Sequence, residues 1–319
     1  MNRIITIITA ALALVVTIHA VPANAQNTRS FVSAHGLDTN SCVLAAPCRT
    51  LAHALTQTNA GGEIDVLDPA GYGALVIDRA ISIVNDGVGT AGVIVPSAGI
   101  GITINAGASD AVSLRGLSIE GGGVGQTGIQ FNTGASLTVE NCVIRHVTGE
   151  GVYFTPNASS NLSVANSLVA DNGTGIVIFP TGSGTVVAII NRVEANSNIT
   201  GIHAAGWNST GSVNVTVSDS VAANNIDVGF EALSNPGKAQ TVLNLFHSVA
   251  ANNGLPNTYV ERAGIYVQNA VVRLAQSMVT GNFYGWNIMN PGTYLYSYGD
   301  NYIDGNGSNV GGLTLINKQ

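Results

Sequence analysis

Three residues whose side chains can transfer protons occupy equivalent places in successive repeats of this 319-residue sequence. His203, Glu231 and Tyr266 each stand two residues after a glycine that begins a short apolar segment. If the repeats stack, the three side chains form one outward column, with neighbours about 5 Å apart. A carboxylate beside an imidazole fixes its tautomer and raises its basicity, and a phenol next to them can pass on a proton. The trio is therefore a candidate catalytic site, and the alternative is a polar column that faces water.

Three insertions border the predicted column, and each lies next to one member of the trio in the sequence: AGWNSTGS, SNPGKAQ and GLPNTYVERA. Repeat proteins often carry extra residues where a binding face needs walls. Aromatic rings and a few charges suit a sugar polymer, although the same aromatics could simply cover an apolar edge. The candidate ligand-binding residues from these insertions are Trp207, Lys238, Tyr259 and Arg262.

The column depends on a phrase that recurs every 24 to 29 residues. Each phrase opens on a polar residue, and apolar or aromatic residues stand four before, two before and two after it. Such alternation with small polar residues is typical of a strand with one buried face. It predicts that all three positions point into the interior. The opening residues are Asn141, Asn166, Asn191, Asp219, His247, Gln276 and Asp300.

Other positions of the repeat form further columns. The residue after the opening one is most often serine and is predicted to form a solvated wall. Tyr296, Tyr298 and Tyr302 fall on inward positions and are predicted to fill the last coil. Asparagine recurs six residues after the opening residue. Its backbone tolerates a left-handed bend, and its side-chain amide can form a hydrogen bond with the equivalent amide one repeat away. A structural ladder is the favoured interpretation over a binding site for Asn172, Asn225, Asn253, Asn282 and Asn306.

No single repeat of this kind can bury its own apolar face, because its strands are short and its bends sharp. Stacking solves the problem and gives a solenoid in which strands pair in parallel with the coils above and below. Less regular segments upstream, beginning with EIDVL at residue 63, extend the pattern. The sequence therefore predicts an all-β solenoid of about 10 or 11 coils.

The composition excludes several other classes of protein. Only 9% of the residues are charged, which argues against a helical bundle with a Glu- and Lys-rich surface. The net charge of −7 and the lack of a basic cluster argue against nucleic-acid binding. A hydrophobic content of 45% argues against disorder. We predict no cofactor and no metal.

Residues 1–25 have the features of a secretory signal peptide. Arg3 precedes an apolar run over residues 4–21, and an A-N-A triplet supplies the small residues that cleavage before Gln26 needs. An uncleaved membrane anchor is the alternative, but no later segment reaches the roughly 18 apolar residues of a membrane span. We therefore expect a secreted or periplasmic protein with no membrane span.

The cysteines agree with export. Cys42 and Cys48 are close enough to close a small loop, and an oxidising compartment favours a disulfide bond between them. Without a further His or Cys nearby they would make a poor metal site. Cys142 is left over and is predicted to be a small packed thiol.

The repeats resemble those of right-handed parallel β-helix proteins of the pectin-lyase-like superfamily, of the exported bacterial type. The similarity covers residues 31–316 and includes FVSAHGLDTNSCVLAAPCRTLAHAL, which resembles the segment that begins many such proteins. The resemblance implies that residues 26–60 form a strand, a Cys loop and a short helix that cap a β-helix over residues 61–319. An apolar stripe for that helix is available, and a cap would protect an open sheet edge. The stripe consists of Leu51, Ala54 and Leu55.

The catalytic motifs of the enzymes in this superfamily are missing. Its polygalacturonase-like hydrolases pair Asn-x-Asp with Asp-Asp and Gly-His-Gly, and its calcium-dependent lyases use clustered aspartates with a nearby Arg. Neither pattern occurs here, nor does the signature of the bacterial alginate epimerases. The resemblance therefore implies a fold and a sugar polymer as partner, but no catalytic residue.

Two functions remain open at this point. The first is non-catalytic binding of extracellular polysaccharide, or service as an adhesive or structural rod. The second is a metal-independent lyase or epimerase of a uronic-acid polymer, in which His203, Glu231 and Tyr266 would abstract and return a proton. The missing motifs and the small outward side chains favour the first.

Overall fold

The computed structural model describes residues 26–254, 261–290 and 292–318. The predicted signal peptide and Tyr259 lie outside the described residues. Within the described part of the chain there is a single α-helix, α1, which spans Leu51–Gln57.

Strands make up most of the rest. The first fifteen are β1 (Asn27–Val32), β2 (Thr58–Val66), β3 (Ala70–Gly71), β4 (Leu75–Ile77), β5 (Ile81–Val84), β6 (Ala91–Ile94), β7 (Ile100–Asn105), β8 (Ala111–Arg115), β9 (Leu117–Glu120), β10 (Thr127–Thr133), β11 (Ser136–Glu140), β12 (Val143–Arg145), β13 (Glu150–Phe154), β14 (Ser160–Ala170) and β15 (Thr174–Ile178). The others are β16 (Thr185–Glu194), β17 (Thr200–Ala205), β18 (Ser212–Ser218), β19 (Val221–Ala223), β20 (Val228–Leu233), β21 (Gln240–Phe246), β22 (Val249–Ala251), β23 (Ala263–Gln268), β24 (Val271–Ala275), β25 (Met278–Thr280), β26 (Tyr284–Met289), β27 (Tyr294–Ser297), β28 (Tyr302–Asp304), β29 (Ser308–Val310) and β30 (Leu313–Leu315).

These strands form two sheets that wrap around a common interior. One is ten-stranded, in the order β29-β26-β23-β20-β17-β15-β13-β10-β7-β4, and the other is twenty-stranded. The long strands β14 and β16 continue around a corner, so two faces of the solenoid join into the larger sheet. Neighbours pair in parallel, for example β17 with β20 and β20 with β23. The predicted all-β parallel solenoid is confirmed, with about nine turns rather than 10 or 11.

The interior is built from alternate residues of the strands. On β17, Ile202 and Ala204 are fully buried, whereas His203 between them points out of the solenoid. The positions four and two residues before the opening residue are buried in five of the repeats, as predicted. Their members are Leu137 and Val139, Leu162 and Val164, Val215 and Val217, Leu243 and Leu245, and Val272 and Leu274.

The position two residues after the opening residue was predicted to be buried, and that prediction was wrong in every repeat except the one that opens at Asn191, where Val193 is 1% exposed. Asn166 has a left-handed backbone with φ of 50°, and this bend resets the alternation of the strand. Ser167 therefore points inward, Leu168 outward and Val169 inward again. In later coils the same outward position leaves Met278 42% exposed.

Two repeats contain an additional shift of one residue. In β16 the left-handed residue is Arg192 and not Asn191, so Val187 and Ile189 point outward. In the last coil Gly299, with φ of 79°, adds a residue to the corner. The prediction that the tyrosines of this coil are core residues was wrong. Leu295 and Ser297 are the buried residues of β27, and the partly or fully exposed ones are Tyr296, Tyr298 and Tyr302.

The serine column is also internal and not the solvated wall that the sequence predicted. Ser220 and Ser248 are 1% and 2% exposed, because the bend turns the residue after it inward. The Ser220 Oγ accepts from the Val193 N–H at 3.1 Å, and the Ser248 N–H donates to the Ser277 Oγ at 3.1 Å. These hydroxyls form hydrogen bonds with backbone groups that have no partner in the sheet, because the corner interrupts the regular pairing of the strands.

The asparagines form a second internal ladder, as the favoured interpretation held. The Asn198 N–H donates to the Asn225 Oδ1 at 3.0 Å, and the Asn225 N–H donates to the Asn253 Oδ1 at 3.1 Å. Asn198, and not Ser197, occupies the ladder position in its coil because that repeat is shifted by one residue. The ladder continues through Asn282 and Asn306.

Coil length varies while both ladders stay in register. Ladder partners are 29 residues apart between Ser248 and Ser277 but 24 residues apart between Ser277 and Asn301. Within the described residues, the extra residues lie at the ends of strands of the ten-stranded sheet, 206–211 after β17 and 234–239 after β20. These two insertions therefore border the outer face on which His203 lies.

Residues 26–60 contain the predicted strand, loop and helix. Leu51, Ala54 and Leu55 are the buried residues of α1, and the Thr50 side chain caps it by accepting from the His53 N–H at 3.2 Å. Cys42 and Cys48 form a disulfide bond. Contrary to the sequence-based expectation His53 lies near them, but sulfurs bonded to each other are not thiolate ligands. Among the described helices, none has the length and apolar character to cross a membrane.

Candidate functional site

The outer face of the ten-stranded sheet brings His203, Glu231 and Tyr266 into one file. His203 on β17 pairs with Glu231 on β20, and Glu231 pairs with Tyr266 on β23. The His203 Nδ1 lies 3.0 Å from the Glu231 Oε2, a hydrogen-bonded ion pair when the imidazole is protonated. Asn287 on β26 extends the file by one coil.

This file is covered and does not face water. Glu231 is 8% exposed and Tyr266 5%, and the His203 side chain is 18% exposed. A small apolar cluster lies outside the sheet beside the file, with Phe179, Trp207 and Tyr284 packed against it. The solvated polar column considered from the sequence therefore does not describe this face. The members of the cluster are Ala205, Val228, Leu233, Ala263 and Tyr266.

The electrostatics favour a protonated imidazole. Burial lowers the pKa of His203, but the negative charge of Glu231 and the hydrogen bond to it outweigh burial and raise the pKa above its ordinary value. The Nε2 atom of His203 is buried and has no hydrogen-bond partner among the described residues. In its protonated form an imidazole can donate a proton but cannot accept one.

Asp227 joins this cluster and was not identified from the sequence. Burial raises its pKa to about 6, the Arg262 N–H at 2.8 Å lowers it, and the nearby Glu261 and Glu231 carboxylates raise it. The only sequence signal was its place two residues before the repeat glycine of β20, where two earlier coils have a glycine. Burial likewise raises the pKa of Tyr266 to about 12, so its phenol stays protonated.

The predicted ligand-binding residues are only partly brought together. The Trp207 ring meets the His203 ring edge-on, with centroids 6.2 Å apart. The Arg262 backbone binds Asp227, and its guanidinium lies 3.7 Å from the centre of the Phe283 ring. Lys238 is exposed in the turn after β20, and it forms no ion pair within the described ranges.

A row of three aromatic side chains leads away from His203 along the same face. The Trp207 and Phe179 rings meet edge-on at 6.1 Å, and the Phe179 and Tyr153 rings are stacked at 6.4 Å. All three are half-buried. We call Tyr153, Phe179 and Trp207 the aromatic row. The sequence places Tyr153 in the outward column, but Phe179 was missed because it follows the last predicted strand residue of its repeat.

The sequence matches the family described as "Right handed beta helix region" over residues 63–221 and 101–308, which together span most of the chain. The chain belongs to this right-handed β-helix family. The handedness predicted from the resemblance is thereby confirmed. No curated protein matches the sequence.

Solved structures with the same right-handed β-helix fold are similar over most of their length. The alginate lyase from Paenibacillus sp. str. FPU-7 aligns with a TM-score of 0.64 and 15% identity, covering 90% of this chain and all of that one. The pectate lyase Pel9A aligns with a TM-score of 0.52 and 16% identity, covering 91% of this chain and 79% of that one. At these identities the likeness shows the fold alone.

Proposed function

We propose that this right-handed β-helix protein binds an extracellular polysaccharide along the outer face of the ten-stranded sheet without cleaving it. The observation that carries the proposal is the aromatic row. Its three rings lie on successive coils, so they follow the long axis of the solenoid as an extended polymer would. Aromatic faces pack against the C–H surfaces of sugar rings, and a polar rim can bind hydroxyl groups.

The solved structures with this fold support a polysaccharide as the partner, since the two reported above are lyases named for alginate and pectate. The predicted signal peptide and disulfide bond support action outside the cytoplasm, as a secreted or periplasmic protein. A rod with a binding face of this kind suits adhesion to a matrix or cell wall as well as retention of free polymer.

The burial of the file of His203, Glu231 and Tyr266 supports binding over catalysis. Lyases and epimerases of uronic-acid polymers begin by removing a proton from the carbon next to the carboxylate, and this step needs a base. Burial raises the pKa of Tyr266 to about 12, so its phenol stays protonated. Burial lowers the pKa of His203, but Glu231 outweighs it and raises the pKa, which favours the protonated imidazole. The His203 Nε2 is also buried, so a polymer cannot reach it without displacing the side chains above it.

Binding can be tested with a panel of neutral and acidic polysaccharides in titration calorimetry. A packed ligand contact is typically worth on the order of 1–3 kcal/mol, so Trp207→Ala and Phe179→Ala should each weaken binding about tenfold to a hundredfold. Trp207→Phe keeps the packing on the cluster and should lose less. Tyr302→Ala is the matched control, because Tyr302 is 72% exposed on the twenty-stranded sheet. Unchanged affinity in both row variants would show that this face is not the binding site.

A lyase or epimerase remains a second candidate because of the His203–Glu231 pair. In β-elimination a base takes the proton next to the carboxylate, the glycosidic C–O bond breaks as a double bond forms, and an acid protonates the leaving oxygen. His203 is suited to protonating the leaving oxygen. Asp227, whose pKa is raised to about 6, is the candidate for the base that removes the proton.

The two candidates differ in their products. If the protein only binds, incubation with polyuronates should give no unsaturated sugars, no new chain ends and no change in the ratio of C5-epimeric uronates measured by NMR. Product formation that disappears in His203→Asn, with binding retained, would instead establish the enzyme.

A further inference from the structure

A second concave surface lies on the twenty-stranded sheet, away from the aromatic row. It is a groove of about 970 Å³ between the outer faces of β21, β24 and β27 and residues 315–318. We call it the C-terminal groove. Its principal lining residues are Phe246, Arg273, Tyr298, Asp300, Leu315 and Lys318.

The groove carries positive charge in a protein whose net charge is −7. Lys318 is paired with Asp300, with its Nζ 2.8 Å from the Oδ2. Arg273 has no ion pair within the described residues, and its Nη1 makes only a long contact of 3.5 Å with the Asn244 Oδ1. One guanidinium is thus left to bind an anion, and its planar fork suits a carboxylate or a sulfate.

Apolar and aromatic surface adjoins this cation. Phe246 is 46% exposed and Leu315 71% exposed at the groove. On the neighbouring strand Tyr296 pairs with Arg273, and its ring stacks on the 47% exposed Tyr294 with centroids 5.6 Å apart and planes within 3°. The exposed Tyr294, stacked on the half-buried Tyr296, offers a flat apolar face with its hydroxyl group at the rim.

We propose that the C-terminal groove is a second saccharide site, which binds a sugar unit bearing a carboxylate or sulfate group. The anion would sit on Arg273, and the ring would pack on Phe246 or on the tyrosine pair. The amides of Gln276 and Asn317 line the groove and can bind hydroxyl groups. An open groove, in place of an enclosed cavity, suits a segment of a longer chain. This site is independent of the aromatic row and does not rest on the function proposed for it.

The test uses the full mature chain and two hexasaccharides in titration calorimetry, one of galacturonic acid and one of neutral glucose. We expect the acidic hexamer to bind more tightly, with an affinity that falls as salt is added. Arg273→Gln should weaken it about tenfold or more, and Arg273→Lys by less, because lysine keeps the charge but not the fork. Arg192→Gln is the control, since Arg192 is an exposed arginine three coils before Gln276 and is bound to Asn166.

Location is checked by hydrogen exchange with the acidic hexamer bound. Protection should appear in β24 and β27 and should persist in Trp207→Ala. Equal affinity for the two hexamers, an unaffected Arg273→Gln variant, or loss of binding in Trp207→Ala alone would each overturn the proposal. So would binding to vesicles of anionic lipid combined with no binding to the acidic hexamer.

Discussion

His203 and Glu231 are hydrogen-bonded neighbours on successive coils, with Nδ1 and Oε2 3.0 Å apart on a largely buried outer face. Parallel pairing holds their Cα atoms opposite each other, so the contact is fixed by the register of β17 and β20. Burial and the carboxylate act on the imidazole in opposite directions, and the carboxylate prevails. Removing either partner therefore tests which effect sets the protonation state of this face.

Glu231→Gln should reverse the direction of the His203 pKa shift. Without the carboxylate only burial remains, so the pKa should fall from above its ordinary value to below it. In the wild type, protonated His203 stabilises the folded state at low pH. That contribution is lost as the pH rises through the pKa of His203 in the folded state. Titration of the His203 ring by NMR measures the change. Glu150→Gln, two coils away from His203, should leave the titration unchanged; a similar fall there would exclude the local explanation.

Asp227→Asn should stabilise the protein at neutral pH. The pKa of Asp227 is raised to about 6, so the folded state holds its proton more strongly than the unfolded state. Stability therefore falls as pH rises from about 4 to about 6. Asparagine keeps the acceptor for the Arg262 N–H and carries no buried charge, and the gain should be on the order of 1–3 kcal/mol.

Chemical denaturation at two pH values measures this effect. The variant should be more stable than the wild type at pH near 7.5 and no more stable near pH 4, roughly the pKa of an ordinary aspartate. A variant that is less stable at both pH values would show that the carboxylate is ion-paired and not penalised by burial.

Periodicity was enough to predict the solenoid and the file of His203, Glu231 and Tyr266, because parallel coils carry equivalent residues to equivalent places. It failed at the corners. One left-handed residue resets the alternation, and the sequence does not distinguish Asn191 from Arg192 as the residue that bends. The burial of the file was not predictable, since the large side chains packed beside it, Phe179, Trp207 and Tyr284, do not recur at equivalent positions of the other repeats.

Ile144→Ala and Val143→Ala test the corrected register at the corner. Ile144 is fully buried and Val143 is half-buried on the outer side. The first substitution should cost about 2–5 kcal/mol because it leaves a cavity, and the second less than about 1 kcal/mol. Denaturant unfolding of the two variants measures both values. Equal costs, or the reverse order, would support the register predicted from the sequence.

Asn225→Ala should show how much the asparagine ladder contributes. The Asn225 side chain accepts from the Asn198 N–H at 3.0 Å and donates to the Ala195 carbonyl at 3.0 Å, and both contacts are buried. Leaving these two groups unsatisfied should cost about 2–5 kcal/mol in the free energy of unfolding.

The matched control is Asn214→Ala, because Asn214 is exposed on the outer face of β18. Its effect should stay within about 0.5 kcal/mol. If Asn225→Ala cost no more than this control, the ladder would be a consequence of the fold and not a support for it.

The serine and asparagine ladders must stay aligned from one coil to the next, so only some segments of the chain tolerate a change of length. Adding a residue within 167–172 would turn every later inward side chain of that coil outward. Adding one within 206–211 leaves both ladders in phase, as the coils of 24 to 29 residues already demonstrate. Loops beside His203 can therefore change in length without moving the hydrogen-bonded corners. Each coil thus combines an outer face beside His203 that can vary with hydrogen-bonded corners that cannot.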